Sequence, residues 1–243
     1  MGRALYITEL IGSGTVFFSG CNFSCIFCQN YEISQGDFGN EISIERLAQI
    51  FIEQQDRGVH NINLVSPTIY VPSIIEAIKM AKNNGLNIPI VYNTNGYENV
   101  ETIKMLDGYI DIYLPDLKYY DDEVGIKYSK VQHYFETASK ALIEMIKQVG
   151  MPEFDDNGII KKGVIIRHLI MPGNVLQTKK ILGWIKENLS PDIYISIMAQ
   201  YFPTYKAKED DTINRKISKK EYEIVEELIK DFKNGYMQDL RYS

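Results

Sequence analysis

The stretch Gly20-Cys21-Asn22-Phe23-Ser24-Cys25-Ile26-Phe27-Cys28-Gln29-Asn30 holds every cysteine of a 243-residue chain. Three residues separate Cys21 from Cys25, and two separate Cys25 from Cys28. Thiolates this close together on a short loop are what an iron–sulfur cluster needs. A four-iron cubane usually takes four cysteines. A cluster held by three leaves one iron open to a non-protein ligand, much as a catalytic zinc site keeps one position open. Other readings fit less well. A disulfide would leave an odd thiol. A structural zinc site wants a fourth ligand, and no histidine lies near this loop. Three small core hydrophobes have no reason to gather within eight residues of an otherwise cysteine-free chain.

Working outward, Thr15-Val16-Phe17-Phe18-Ser19 is an apolar, β-prone run ending at Gly20. It predicts a strand with the cysteines at its C-terminal end. Further strands are predicted at 60–65, 88–92, 109–114, 164–170 and 193–198, with Asp156-Asn157-Gly158 as a hairpin turn. Helices are predicted between them. One starts at Ser43 and aligns Ile44, Leu47, Ile50 and Phe51; the next begins near Pro72 and aligns Ile74, Ile75, Ile78 and Ala81. Others cover 100–106, Val131 to Val149, and Ile181 to Ile185, and the last follows the capping box Ser218 to Glu221. Six strands alternating with six helices predict an α/β fold with a parallel sheet under a helical layer. Eight such units would close a barrel; six predict a partial (β/α)6 TIM-like barrel, here a single domain over 1–243, with ligands at the C-terminal rim of the strands.

That rim is polar throughout. The second strand ends in Ser66-Pro67-Thr68, the third in Asn93-Thr94-Asn95-Gly96, and the fourth in Pro115-Asp116-Leu117-Lys118. The fifth carries Arg167-His168 and the sixth ends in Gln200-Tyr201-Phe202-Pro203. Each alone is ordinary turn or cap chemistry. Their recurrence at equivalent positions points to a ligand site.

The CxxxCxxC spacing, with the aromatic Phe27 before the third cysteine, resembles the radical S-adenosylmethionine (radical SAM) superfamily. Along its length the chain looks like the activating-enzyme branch of that superfamily, through Thr94-Asn95-Gly96, Asp116-Leu117-Lys118 and the Cys-x-Asn of Cys28-Gln29-Asn30. The resemblance implies that Cys21, Cys25 and Cys28 hold a [4Fe-4S] cluster whose open iron chelates SAM. It implies a one-electron donor such as flavodoxin or ferredoxin, cleavage of SAM to a 5′-deoxyadenosyl radical, and hydrogen abstraction from a substrate. On the activating-enzyme likeness that substrate is a glycyl radical enzyme, so a protein; a small metabolite is the alternative. A non-catalytic electron-transfer protein is a further alternative, but a carrier gains nothing from an open iron. The resemblance also implies that Phe27 flanks the adenine and that Asn30 and Asp116 belong to the site. Ser66, Thr68, Asn95, Lys118 and His168 become candidates for the carboxylate, amino and ribose groups of SAM. Two departures stand out: Asn93 replaces an Asp that helps hold a monovalent cation in the known activase, and Ser66-Pro67-Thr68 replaces a Gly-Gly-Glu.

Composition narrows the class. The chain carries 26 basic and 32 acidic residues, for a net charge of −6. That disfavours sequence-independent contact with nucleic-acid phosphates. No apolar run is long enough to span a membrane, and Met1-Gly2-Arg3-Ala4-Leu5-Tyr6 lacks a signal peptide's apolar core. Reduced thiols without an export signal predict a cytoplasmic protein. The charged, aromatic-bearing stretch Tyr201 to Lys216 reads as a lid over a radical site or as a solvated loop.

Overall fold

The computed structural model describes residues 12–36 and 38–239. The N-terminal stretch Met1 to Tyr6 lies outside them. The elements run β1 (Gly14–Phe17), α1 (Tyr31–Gln35), α2 (Ile44–Asp56), β2 (Ile62–Val65), α3 (Val71–Asn83), β3 (Ile90–Thr94), α4 (Val100–Met105), β4 (Ile112–Pro115), α5 (Asp122–Ser129) and α6 (Tyr134–Val149). They continue with β5 (Glu153–Phe154), β6 (Ile160–Leu169), α7 (Val175–Asn188), β7 (Tyr194–Met198), α8 (Lys219–Ile229) and β8 (Asn234–Met237). The sheet order is β1-β2-β3-β4-β6-β7-β8, all parallel, with β5 antiparallel to β6. Among the described residues β1 and β8 do not pair with each other, so the sheet stays open as expected.

The strand count differs from the expected six. The predicted turn at Asp156-Asn157-Gly158 does close a hairpin, between β5 and β6. The additional parallel strand β8 is Asn234-Gly235-Tyr236-Met237, which has no apolar run to announce it. Its place comes from pairing with β7 and from packing: a side chain at Gly235 would meet Ile229 at 3.3 Å.

Strand alternation divides the side chains into two faces. Ile62, Leu64, Ile90, Tyr92, Tyr113, Val164 and Ile166 are buried under the helices. Their neighbours in sequence, including Asn63, Val91, Asn93, Ile112, Ile165 and Arg167, face the concave interior. Helix starts follow their caps. Ser43 accepts from the Arg46 amide, and Ser218 with Glu221 forms a reciprocal capping box.

Candidate active site

The cysteine loop leaves β1 at the C-terminal rim. Its floor is α5, a helix that the sequence pattern did not predict. The Ser24 amide donates to the Ser129 carbonyl (3.2 Å) and the Ile26 amide to the Tyr128 carbonyl (2.9 Å). The Cys25 sulfur lies 2.9 Å from the Ser129 hydroxyl, which also meets the Tyr119 hydroxyl at 2.6 Å. Cys28 meets Ser34 at 3.2 Å, and the Asn95 amide nitrogen donates to Cys21 at 3.6 Å. Burial raises the Cys21 thiol and pushes Cys25 up to about 11. Cys28 also raises the proton affinity of Cys21, and Cys21 and Cys28 raise that of Cys25, while Lys118 lowers both, so sulfurs and ammonium share one region. Among the described residues no three Cys, His, Asp or Glu side chains already converge as a ligand set.

The third and fourth strands bring their rim residues to the loop. Asn95 also donates to the Asn22 side chain (2.6 Å), and its own carbonyl oxygen Oδ1 accepts from the Tyr97 amide (2.9 Å). Gly96 has φ +83°, and a Cβ there would stand 2.2 Å from the Asp116 carbonyl oxygen. Only glycine serves both demands. Tyr134, from α6, ties the two loops together. Its hydroxyl accepts from the Lys118 amide (2.9 Å) and lies 2.7 Å from the Asp116 carbonyl and 2.9 Å from that of Asn95.

A charged cluster stands beside this clamp. Lys118 Nζ contacts Asp116 Oδ2 at 2.6 Å, and Arg167 Nη2 contacts Asp116 Oδ1 at 2.7 Å. Arg167 Nη2 also donates to Asn93 Oδ1 at 2.7 Å. Burial opposes both charges of the pair, but the mutual attraction prevails: Asp116 is held below the usual carboxylate range and Lys118 above the usual lysine range. Two cations against one carboxylate leave the cluster with an excess positive charge.

Other predicted residues fall elsewhere. His168 is a correction: it sits on the helix-facing side of β6, 2 % exposed. Its Nδ1 meets the Leu117 carbonyl at 2.5 Å and its Nε2 meets Thr178 Oγ1 at 2.8 Å. Both nitrogens are engaged, so it supports the Asp116-Leu117-Lys118 backbone and does not face a ligand. Thr68 donates to Glu98 Oε1 at 2.7 Å, a carboxylate that also takes the hydroxyls of Thr94 and Tyr92. Ser66 stays at the rim in left-handed conformation, φ 57°, a strain of the kind that collects at functional sites. Phe27 is buried against Tyr201, with ring centroids 6.0 Å apart, and exposed Asn30 begins α1. The stretch Tyr201 to Lys216 is neither bare nor wholly solvated. Tyr205 stacks on Tyr31 at 4.6 Å, Asp210 pairs with Lys127 at 2.9 Å, and Tyr201 is buried.

The family model described as the Radical SAM superfamily matches residues 15–185, and the chain belongs to that superfamily. Among its relatives, the protein MJ0674 of Methanocaldococcus jannaschii is 36% identical over 240 residues, covering 95% of this chain and 65% of its own length. The pyruvate formate-lyase-activating enzyme of Clostridium pasteurianum is 26% identical over 164 residues, covering 65% of this chain and 61% of its own length. The chain thus spans just under two thirds of these relatives. The crystal structure of Streptococcus suis SuiB bound to S-adenosylmethionine shares the fold, with TM-score 0.59 and 14% identity over 93% of this chain and 50% of that one.

The superfamily uses a [4Fe-4S] cluster and SAM. The residues present fit both. Three thiols on one loop have only hydroxyls and amides as hydrogen-bond partners, and Lys118 beside Cys21 and Cys25 favours the thiolates of those two. Among the described residues no helix is long and apolar enough to cross a membrane.

Proposed function

We propose that this chain is a radical SAM enzyme that removes a hydrogen atom from a bound substrate. When bound, the cluster and SAM supply reductive cleavage to methionine and a 5′-deoxyadenosyl radical, with the electron coming from a donor such as flavodoxin or ferredoxin. The observation that carries the reading is the meeting of the cysteine loop, Asn95 and the Lys118–Asp116–Arg167 cluster at one strand rim. Cys21, Cys25 and Cys28 are the cluster ligands. The excess positive charge of Lys118 and Arg167 suits the SAM carboxylate, and charge-assisted contacts there are stronger than neutral ones. Asn95 holds the Cys21 side of the loop against the third strand, and Phe27 with Tyr201 shields it from water.

The test is anaerobic reconstitution followed by dithionite and SAM. Formation of 5′-deoxyadenosine and methionine supports the reading. A reduced, four-iron protein that leaves SAM intact would refute it and favour an electron carrier. Activation of a glycyl radical enzyme is a second reading, favoured by the similarity to the Clostridium activating enzyme. Its signature is a glycyl-radical EPR doublet on a protein partner.

A further inference from the structure

The concave interior of the sheet holds a cavity of about 370 Å³ below the rim. None of the three cysteines, Asn95 or Lys118 lines it; Asn93 and Arg167 stand at its upper end. Register fixes its depth. Asn93 is level with Val65, so Asn63 is two residues lower, and Asn61 lower by two more. At about 3.3 Å per residue these positions are roughly 7 and 13 Å beneath Asn93. The cavity therefore continues downward from the SAM-binding rim.

Its polar groups lack partners. Four buried side-chain atoms without a hydrogen bond, Asn61 Oδ1, Asn63 Oδ1, Gln238 Oε1 and Arg167 Nε, all belong to residues that line this one cavity. Buried polar groups are satisfied in the great majority of native sites, and each orphan costs on the order of 1–3 kcal/mol. Four around one space mark a place that a ligand completes. Three ask for N–H or O–H donors and one asks for an acceptor. Among the described residues no Asp, Glu or Lys lines the cavity, and Val91, Ile112 and Ile165 supply apolar wall.

We propose that this cavity is the substrate pocket, and that it takes an uncharged small molecule of monosaccharide or nucleoside size bearing hydroxyl or amide groups. The volume is at the lower end of small-molecule sites. Among the described residues the lining offers a cationic substrate no carboxylate, and the guanidinium of Arg167 at the upper end is already engaged by Asp116 and Asn93. The proposal rests on the radical reading above. One substrate C–H bond breaks, the hydrogen atom goes to C5′ of the deoxyadenosyl group, and a carbon radical remains on the substrate. The electron that opens the C5′–S bond comes from the one-electron donor.

The test follows the hydrogen. The reduced, SAM-loaded holoenzyme is incubated with extract of source cells grown on perdeuterated glucose. The extract is divided into neutral, anionic and cationic small-molecule pools and a protein pool. Deuterium should appear in 5′-deoxyadenosine with the neutral pool. Asn63→Leu and Asn61→Leu should each lower that transfer about tenfold, while iron content and the SAM-induced change in the EPR spectrum persist. Transfer only from an ionic pool, only from the protein pool or from none of them would overturn the proposal, as would full transfer in both folded variants. If the wild type forms no 5′-deoxyadenosine under any condition, the radical reading itself has failed.

Discussion

Lowering the pH from 7.5 to 5.5 should destabilise the protein through His168, and the size of the effect follows from its surroundings. The ring is buried between the Leu117 carbonyl and Thr178. Burial lowers its pKa from 6.5 to about 4; the Leu117 carbonyl opposes that shift, nearby Lys118 adds to it and Asp116 opposes it. A histidine with a depressed folded pKa is protonated more readily in the unfolded chain. Stability is therefore full above pH 6.5 and falls as the pH drops toward 4. With those two values, linkage gives a loss of about 1.4 kcal/mol between pH 7.5 and 5.5. His168→Gln keeps a neutral polar side chain of similar reach and removes the titration. Anaerobic urea denaturation of both proteins at the two pH values isolates the term, because every other titrating group is common to both. The wild type should lose about 1.4 kcal/mol more than the variant. Equal losses would refute the burial of a neutral imidazole behind the Asp116-Leu117-Lys118 strand end.

Four further outcomes are expected. Replacing any of Cys21, Cys25 or Cys28 with Ala should abolish the brown chromophore and 5′-deoxyadenosine formation together, as read by iron analysis and chromatography. Lys118→Ala should weaken SAM binding and leave iron content unchanged, while Asp116→Ala strands two partly buried cations and should cost about 2 kcal/mol in chemical denaturation. Burial raises the Glu98 pKa, so the stability it contributes when protonated is lost as the pH rises; Glu98→Gln should flatten that decline in the same denaturation assay.

Much of this was legible in the sequence, and what was not has a common cause. The cysteine loop, the rim triplets and the capping box are local patterns whose chemistry depends on neighbours in the chain. The residues that organise the site from a distance are different. Ser129 reaches Cys25 across 104 positions, and Tyr134 binds the carbonyl of Asn95 across 39. A serine or tyrosine with such a role looks like any other until the fold is known. Helix α5 was hidden for a related reason: it contains Gly125 and buries only Gly125, Tyr128 and Ser129, so it carries no strong apolar stripe.

The exchange of roles between Arg167 and His168 shows the limit most sharply. The two are adjacent on β6, so only one can face the interior. Parity along a strand is normally read from which alternate positions are apolar. Here Val164 and Ile166 lie on one face and Ile165 and Leu169 on the other, so both faces look apolar and the pattern carries no parity signal. The pairing of β6 with β4 and β7, including the bridge from Asp116 to Arg167, settles which side is which. It turns the arginine toward Asn93 and the ligand space and sends the histidine to the helices. Asn93 then gains a role independent of any cation: its side chain accepts from Arg167, the same guanidinium that neutralises Asp116. An aspartate at that position would add a second carboxylate to Arg167 and cancel the excess positive charge of the cluster. The Asp-to-Asn departure is thus coupled to the charge that the rim presents to its ligand.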